Sequence, residues 1–282
     1  MTTAPAVGAP VVDELTCRDP DVVSPEGSRT WWARGRNFVV AITELAAADR
    51  LAEYAVADEY ALLVTDDTEV TVEQDGGSSA SVVEPAFVVV PAGTSVVRAA
   101  APATVVRVFS AYCEEQLRRA VNYADGVDPR AAPLPTSAPA SAGRIRVHRL
   151  RDVPSEAGRL GRIFRTTSLM VNWFPVQIGP RETEALSPHS HEHFEQMSVT
   201  LGGDYVHHFR TPWTPQMSQW RDDQHVPVGS PSMALIPPTV VHTTRAVGEG
   251  RHSLVDVFAP PRADFLAKGW VLNAADYPRA TP

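Results

Sequence analysis

Short valine-rich segments recur along the chain and limit what it can fold into. They are bounded by Gly, Pro and Asp and recur about every 8–12 residues, a pattern typical of an all-β sandwich or barrel. The segments lie at 60–65, 69–73, 86–90 and 105–110 in the first half and at 196–201, 204–209, 233–236 and 253–258 in the second. We therefore predict an all-β fold. Helices are expected only at the ends of each half, such as a short amphipathic one over 114–124.

Length and composition divide the chain into two domains. Its 282 residues fit two domains of ordinary size, although one large β domain is also possible. Residues 128–143 are rich in Pro, Ala and Ser and contain no aromatic residue, which is typical of an extended linker. We therefore predict domains at 28–127 and 144–282. Residues 1–27 contain four prolines and form either a mobile tail or a strand laid over a neighbouring domain.

Charge and cysteine content exclude several classes of protein. The net charge is −8, so the chain lacks the basic footprint of a nucleic-acid-binding protein. Cys17 and Cys113 are too few for a disulfide scaffold and too far apart for a CxxC motif. No segment approaches the roughly 18 uninterrupted apolar residues of a membrane span, and no signal peptide is evident. We expect a cytoplasmic protein with neither a nucleic-acid nor a membrane partner.

The two halves resemble each other in sequence. Three blocks of the first half have counterparts in the same order in the second: 51–60 with 186–195, 87–97 with 233–243, and 104–111 with 253–260. One block alone would be weak evidence. Three in the same order predict a duplicated β domain.

Histidine is concentrated in the second half. Eight of the nine histidines lie between positions 189 and 252. Because side chains alternate along an extended strand, one face there would carry His189, His191, His193 and Glu195. Burying these groups unpaired is costly, whereas neutral imidazoles and a carboxylate suit a divalent metal ion. After a Pro-Pro-Thr turn, His242 is the candidate for a further ligand from a neighbouring strand.

These residues resemble the motifs of the cupin superfamily. The first motif is HxH, three or four residues, Glu, six residues and Gly, and it is matched by His189, His191, Glu195 and Gly202. The second motif, PxGxxH, is matched by Pro237 and His242, with Thr239 where the family prefers Gly. The glycine that the family places five residues before HxH is missing.

The resemblance implies both a fold and a metal site. The chain would form two tandem cupin domains, which are jelly-roll β-barrels, with short flanking helices. The second barrel would bind one divalent transition metal, which could be Fe, Mn, Ni, Cu or Zn. Its ligands would be His189, His191, Glu195 and His242. Glu195 is also a possible catalytic base, although ligation alone is favoured.

The internal repeat predicts that the first barrel binds no metal. In the aligned blocks the four ligand positions are occupied by Tyr54, Val56, Tyr60 and Val96. These side chains do not form a usual site for a divalent ion. We therefore predict one metal ion per chain. The first barrel would be retained for structure, for contacts in a homodimer, or to cover the second barrel.

An insertion at 204–228 is the expected substrate-binding element, since long loops at a barrel mouth are often functional. Its Trp and Arg side chains would clamp a planar or anionic small molecule, or the tryptophans would be buried in a subunit interface. Only one of the adjacent His207 and His208 can face inward. The predicted pocket residues are His193, His207, Arg210, Trp213, Trp220 and Arg221.

Three functions are compatible with such a centre. An open coordination position would let a substrate with adjacent oxygen atoms chelate the metal. The resemblance to bicupin dioxygenases implies reaction with O₂, which is the favoured function. Residues 256–265 resemble the ending of small cupins, some of which linearise or isomerise unsaturated sugars, so a non-oxidative isomerase or lyase is the alternative. A small-molecule-binding protein without turnover is the third.

Overall fold

The protein is all-β. A computed structural model describes residues 8–122, 128–138, 143–153, 159 and 161–277. The strands of the first half are β1 (Val11–Glu14), β2 (Val22–Val23), β3 (Arg29–Arg34), β4 (Phe38–Leu45), β5 (Leu51–Val56), β6 (Tyr60–Val64), β7 (Val70–Gln74), β8 (Ser79–Val82), β9 (Ala86–Val90), β10 (Gly93–Ala99) and β11 (Ala103–Ser110). Those of the second half are β12 (Arg146–Arg149), β13 (Arg162–Arg165), β14 (Met170–Trp173), β15 (Gln177–Ile178), β16 (Gln196–Gly202), β17 (Tyr205–Arg210), β18 (Gln224–Val228), β19 (Ser232–Ile236), β20 (Val241–Ala246) and β21 (Arg251–Phe258).

Among the described residues, two short α-helices accompany the strands, α1 (Glu114–Arg118) and α2 (Ala263–Ala267). The eight predicted strand segments all form strands, with small shifts at their ends. The helix predicted over 114–124 is shorter than expected. Its last backbone bonds, from Arg119 and Ala120, reach back only three residues, so the helix tightens and ends. Among the described residues no helix is long and apolar enough to cross a bilayer.

Each half forms a barrel from two facing sheets. In the first barrel a seven-stranded sheet of order β12-β9-β6-β11-β4-β3-β2 accompanies a four-stranded sheet of order β5-β10-β7-β8. In the second, the order β1-β19-β16-β21-β14-β13, with β15 added beside β21, accompanies the three-stranded sheet β18-β17-β20. The paired strands among the described residues run antiparallel, as short connections between neighbours allow.

The two large sheets pack against each other, and this contact forms a core between the barrels. Strand β4 is apolar almost throughout because both of its faces are buried. Val39 and Ala41 belong to the interior of the first barrel, whereas Val40 and Ile42 belong to the inter-barrel core. The second barrel contributes to this core Phe164, Val171, Met197, Val199, Val255 and Val257.

The interiors of the two barrels differ in polarity. The first is lined mainly by one large apolar cluster, which includes Trp32, Leu62, Val88 and Phe109, and its buried charged groups are paired with each other. In the second, the residues that alternate with the inter-barrel core face inward, and many of them are polar. Buried there are Gln196, Ser198, Thr200, His207, Ser232, His242 and Asp256. Because buried polar groups need partners, this interior is the part of the chain suited to a binding site.

The two halves exchange strands. Within the segment predicted as a tail or an overlaid strand, Val11–Glu14 pairs with β19 of the second barrel. In return, Arg146–Arg149 pairs with β9 of the first barrel. The composition of the sequence assigns Arg146–Arg149 to the second domain, whereas the backbone of this strand hydrogen-bonds to the first barrel. The exchange ties the barrels together through backbone bonds as well as through the apolar core.

Substitution of Leu15 tests the packing of the N-terminal segment. Leu15 is 1% exposed and belongs to the inter-barrel core. We expect Leu15→Ala to lower the free energy of unfolding by about 2–5 kcal/mol, because a cavity remains in that core. Val22→Ala, at a side chain that is half exposed, should change it by less than about 0.5 kcal/mol. Denaturant titration measures both, and equal effects would contradict this packing.

Candidate metal centre

Three histidines come together in the second barrel. His189, His191 and His242 each offer a ring nitrogen, and these atoms lie within 4.8 Å of one another. His191 and His242 are buried, whereas His189 is exposed. The cluster therefore has a buried side and a side open to solvent. Three of the four predicted ligands are brought together in this way.

An isolated antiparallel β-bridge between the backbones of His189 and His242 holds these two rings near each other. His189 N donates to His242 O at 3.1 Å, and His242 N donates to His189 O at 2.8 Å. The prediction that 189–195 forms one strand, with its titratable groups on one face, is wrong. After His189 the chain leaves the ladder, because His191 O accepts a hydrogen bond from Thr239 N at 2.6 Å. Regular pairing resumes where β16 begins.

His193 lies outside the cluster, because the chain turns after His191. Its side chain is 77% exposed, and its backbone carbonyl accepts a hydrogen bond from Ala132 N at 2.7 Å. The expected pocket-lining role of His193 is therefore corrected: the turn after His191 directs its ring to the surface.

The backbone also fixes the tautomers of two of the three rings. His189 Nδ1 lies 2.9 Å from Ser187 O, and His242 Nδ1 lies 3.0 Å from Val240 O. A carbonyl oxygen only accepts, so each Nδ1 carries the proton and each Nε2 presents its lone pair. Histidines that bind metals generally donate their other ring N–H in this way.

Gln196 is the site residue that sequence reasoning missed. Its Oε1 lies 2.9 Å from His191 Nε2 and 3.4 Å from His242 Nε2. An amide oxygen only accepts, so His191 Nε2 donates this hydrogen bond. Adjacent ligand atoms on a metal with bonds of about 2.1 Å also lie about 3 Å apart, so Gln196 Oε1 could serve as a fourth ligand once the His191 proton moves to Nδ1. The signal lay in the motif, whose spacer has three or four residues. A spacer of three residues after the HxH pair places the ligand at Glu195, whereas a spacer of four places it at Gln196.

The amide of Gln196 is oriented from behind. Its Nε2 donates to Ser198 Oγ at 3.0 Å, and Ser198 Oγ donates to Asp256 Oδ1 at 2.6 Å. Ser198 and Asp256 are both buried. Because the amide nitrogen is engaged with the hydroxyl, Oε1 faces the imidazoles.

Glu195 lies outside the three-histidine group, which corrects the ligand set implied by the motif resemblance. The side chain is buried, but its Oε2 accepts a hydrogen bond from Arg36 N of the first barrel at 2.5 Å. Burial raises the pKa of Glu195, against the lowering effect of the Arg36 and Asp128 backbones. The carboxylate that was expected to bind metal, or to act as a base, is occupied by the backbone of another part of the chain.

Burial favours the neutral form of the clustered rings. It lowers the pKa of His191 to about 3 and the pKa of His242 to about 4, because charging either ring would require solvation that the interior lacks. Both rings are therefore neutral near pH 7, which is the form that binds a metal. Burial also raises the pKa of Asp256 to about 7, against the opposing effect of its hydrogen bonds with Ser198 and Gln196.

His207 lies inside the barrel, and its neighbour His208 lies outside. His207 is fully buried, and its Nδ1 is 2.9 Å from Thr244 Oγ1. Its Nε2 is buried without a hydrogen-bond partner. His208 pairs with His225 on the outer face of the small sheet, with their Nδ1 atoms 2.7 Å apart. An unpaired buried nitrogen is costly, so His207 Nε2 is suited to contact a bound molecule.

The insertion carries the remaining predicted pocket residues. The insertion loop begins at the end of β17, where that strand pairs with His242. It therefore leaves the barrel at the end where the three histidines lie. Trp213 and Trp220 stack at 4.5 Å between ring centroids, which leaves no slot between them for a planar ring. Arg210 forms an ion pair with Asp223 on the exposed surface. Arg221 is also exposed.

The pairing of strands corrects the internal alignment by one residue. In the first barrel, the cross-strand pair that corresponds to the two bridging histidines is Glu53 and Ser95. Tyr60, which begins β6, corresponds to Gln196, and its hydroxyl lies 2.9 Å from Ser95 Oγ. Tyr54, the position expected from the sequence blocks, is 61% exposed instead.

A buried arginine occupies the centre of the first barrel. Arg107 takes the strand position that Asp256 has in the second. Its Nη1 donates to Glu53 Oε1 at 2.5 Å, and its guanidinium lies 5.3 Å from the ring centroid of Trp32. Gln116 donates to the other carboxylate oxygen of Glu53 at 2.8 Å. The Glu53 carboxylate is already neutralised by Arg107, and the pair occupies the interior, so we expect no metal ion there.

The fold is that of known two-barrel proteins. Oxalate decarboxylase of Lactobacillus farciminis, in complex with formate, covers 100% of this chain and 96% of its own at TM-score 0.58 and 12% identity. The Bacillus subtilis oxalate decarboxylase covers 92% and 79% at TM-score 0.59 and 11% identity. A cupin 2 conserved barrel domain protein of Leptotrichia buccalis covers 92% and 100% at TM-score 0.50 and 10% identity. No protein-family model matches the sequence, and no curated protein matches it either. At these identities the likeness shows the fold alone.

Metal titration tests the difference between the barrels. We expect one tightly bound divalent ion per chain, because Arg107 and Glu53 already neutralise each other in the first barrel. Elemental analysis after loading and desalting gives the stoichiometry. Two tightly bound ions per chain would contradict this assignment.

Substitution of Gln196 tests the fourth ligand. Gln196→Leu keeps the approximate volume and removes the oxygen. We expect a loss of metal affinity larger than the roughly 10–100-fold typical of partners that only support a ligand. Gln224→Leu, at an exposed position, is the control and should bind as the unaltered protein does. Chelator competition measures both affinities, and equal values would exclude Gln196 as a ligand.

Proposed function

Because the chain is a bicupin in fold, we propose that it is a divalent-metal-dependent enzyme acting on a small organic anion in the second barrel. The observation that carries this proposal is the cluster of three imidazole rings, two of which have Nε2 within 3.4 Å of Gln196 Oε1. Four protein ligands leave about two positions of an octahedral ion open, and open positions distinguish catalytic from structural sites. The exposed ring of His189 supports access to them from solvent.

The charge of the site favours an anionic substrate. Imidazole and amide ligands carry no negative charge, so they leave the charge of a divalent ion uncompensated. The guanidinium of Arg262, which is paired with Asp264 at 2.8 Å, acts to lower the pKa of His191 and of Asp256. A metal ion held here would act as a Lewis acid on two adjacent substrate oxygens. We therefore propose a carboxylate with a neighbouring hydroxyl, oxo or carboxylate oxygen as the substrate class.

His207 favours proton-transfer chemistry. Burial lowers its pKa to about 4, so the ring is neutral near pH 7. Its unpaired Nε2 lies within the same barrel interior as the metal ligands and can accept or return a proton there. These features support a non-oxidative reaction, such as isomerisation, elimination or decarboxylation. The dioxygenase function favoured by the sequence remains a prediction for the same site.

Manganese is the first ion to test. The Bacillus subtilis oxalate decarboxylase, which shares this fold at 12% identity, has Mn(II) centres. Nitrogen and oxygen donors also suit Fe, Ni, Cu and Zn, so each of these ions belongs in the comparison.

Turnover by the loaded protein tests the proposal. The Mn(II)-loaded chain is incubated with oxalate, malonate and a series of 2-oxo and 2-hydroxy carboxylates, with products followed by NMR and oxygen by electrode. We expect product formation without oxygen consumption, and loss of both metal and turnover in His242→Ala. His225→Ala, on the outer face, is the control. Stoichiometric oxygen consumption would establish the dioxygenase instead, and binding without turnover would establish a binding protein.

A substitution of His207 separates its proposed role from metal binding. We expect His207→Gln to retain the bound ion, because His207 is not part of the three-histidine group. Turnover should fall by about 10²–10⁴-fold, the usual effect of removing a general acid or base. Metal content and kcat are measured on the same sample. Unchanged kcat would show that His207 takes no part in the reaction.

A further inference from the structure

We propose that the first barrel and the linker position the metal ligands, with Glu195 acting as a support and not as a ligand. The residues concerned, here called the linker brace, are Arg36, Asn37, Asp128, Arg130 and Ala132. This inference builds on the proposed metal site and explains why a barrel without metal ligands accompanies one that has them. It rests on the hydrogen bonds that reach both ligand-bearing segments.

The brace holds the segment that carries His189 and His191. Ala132 N donates to His193 O at 2.7 Å, and Arg36 N donates to Glu195 Oε2 at 2.5 Å. These bonds fix the chain between the HxH pair and Gln196, where it has no strand partner of its own. The buried carboxylate of Glu195 thus ties the segment to the first barrel.

The brace also holds the turn before His242. Arg130 Nη1 donates to Thr239 Oγ1 at 2.8 Å. Thr239 has a backbone φ of 71°, which is unfavourable for a β-branched residue and is tolerated when the surroundings enforce it. Thr239 N in turn donates to His191 O at 2.6 Å. Through this turn, the two ligand-bearing segments are joined to each other as well as to Arg130.

The brace residues are themselves fixed. The side chains of Asp128 and Arg130 form an ion pair in which both are largely buried, and Arg36 Nη1 donates to Asp128 O at 3.2 Å. Asn37 is 4% exposed, and its Nδ2 donates to Ala132 O at 2.7 Å and to Ala259 O at 3.0 Å. The linker between the barrels is therefore an ordered part of the site where it passes residues 128–132.

Affinity measurements on two brace variants test the proposal. Arg130→Met removes the bond to Thr239, and Glu195→Gln places an amide N–H₂ group against backbone N–H donors. We expect each to weaken Mn²⁺ binding about 10–100-fold, the usual effect of losing a partner that orients a ligand. The EPR spectrum of bound Mn²⁺ should still show the same nitrogen ligands. Glu192→Gln, whose side chain is 82% exposed three residues away, is the matched control and should bind as the unaltered protein does.

Hydrogen exchange provides a readout that needs no metal. In the metal-free protein we expect faster exchange of the Thr239 and His242 amides in Arg130→Met and in Glu195→Gln than in the control. Unchanged exchange and affinity in both variants would overturn the proposal. So would a loss of Mn²⁺ binding in Glu195→Gln alone, because that would make Glu195 a ligand. If the unaltered protein binds no ion, the proposed function fails, while the exchange rates still decide whether the brace exists.

Discussion

The structure depends on the side chain of one buried amide. Gln196 directs its carbonyl oxygen toward two imidazoles, because its nitrogen donates to Ser198 Oγ, which in turn donates to Asp256. Burial keeps both imidazoles neutral, and a neutral ring can shift its proton to the other nitrogen when a metal ion binds. The polar interior of the second barrel follows from this arrangement, since each buried polar group there needs a partner. His207 Nε2 is among the buried polar atoms of the second barrel that have no partner, and it is suited to contact a bound molecule.

The first barrel shows what the same fold becomes without such a site. At the position of Asp256 it has Arg107, and at the position of the bridging His189 it has Glu53. The ion pair between Arg107 and Glu53, with Trp32 beside it, occupies the part of the first barrel that corresponds to the polar interior of the second. A buried pair of this kind stabilises the fold only if both members remain. The interior of the first barrel therefore needs no bound ion, and its turn at Arg36 contacts the other barrel.

The sequence predicted the architecture well, because alternation and turn residues are local signals. The valine-rich segments at 86–90 and 196–201 became strands where expected. Site details were predicted less well, because they depend on contacts between distant residues. The motif spacing allows a fourth ligand at position 195 or 196, and Arg36, 159 positions away, binds the carboxylate of Glu195 outside the three-histidine group. The one-residue shift of Glu53 relative to Tyr54 likewise appears only in the pairing of strands.

A crystal structure of the protein soaked with Mn²⁺, with anomalous data collected, tests the central claim most directly. The account predicts a single strong anomalous peak in the second barrel, bonded to Nε2 of His189, His191 and His242 and to Oε1 of Gln196, with Glu195 still bound to the backbone of Arg36. A peak coordinated by Glu195, or an equally strong peak beside Arg107, would contradict it.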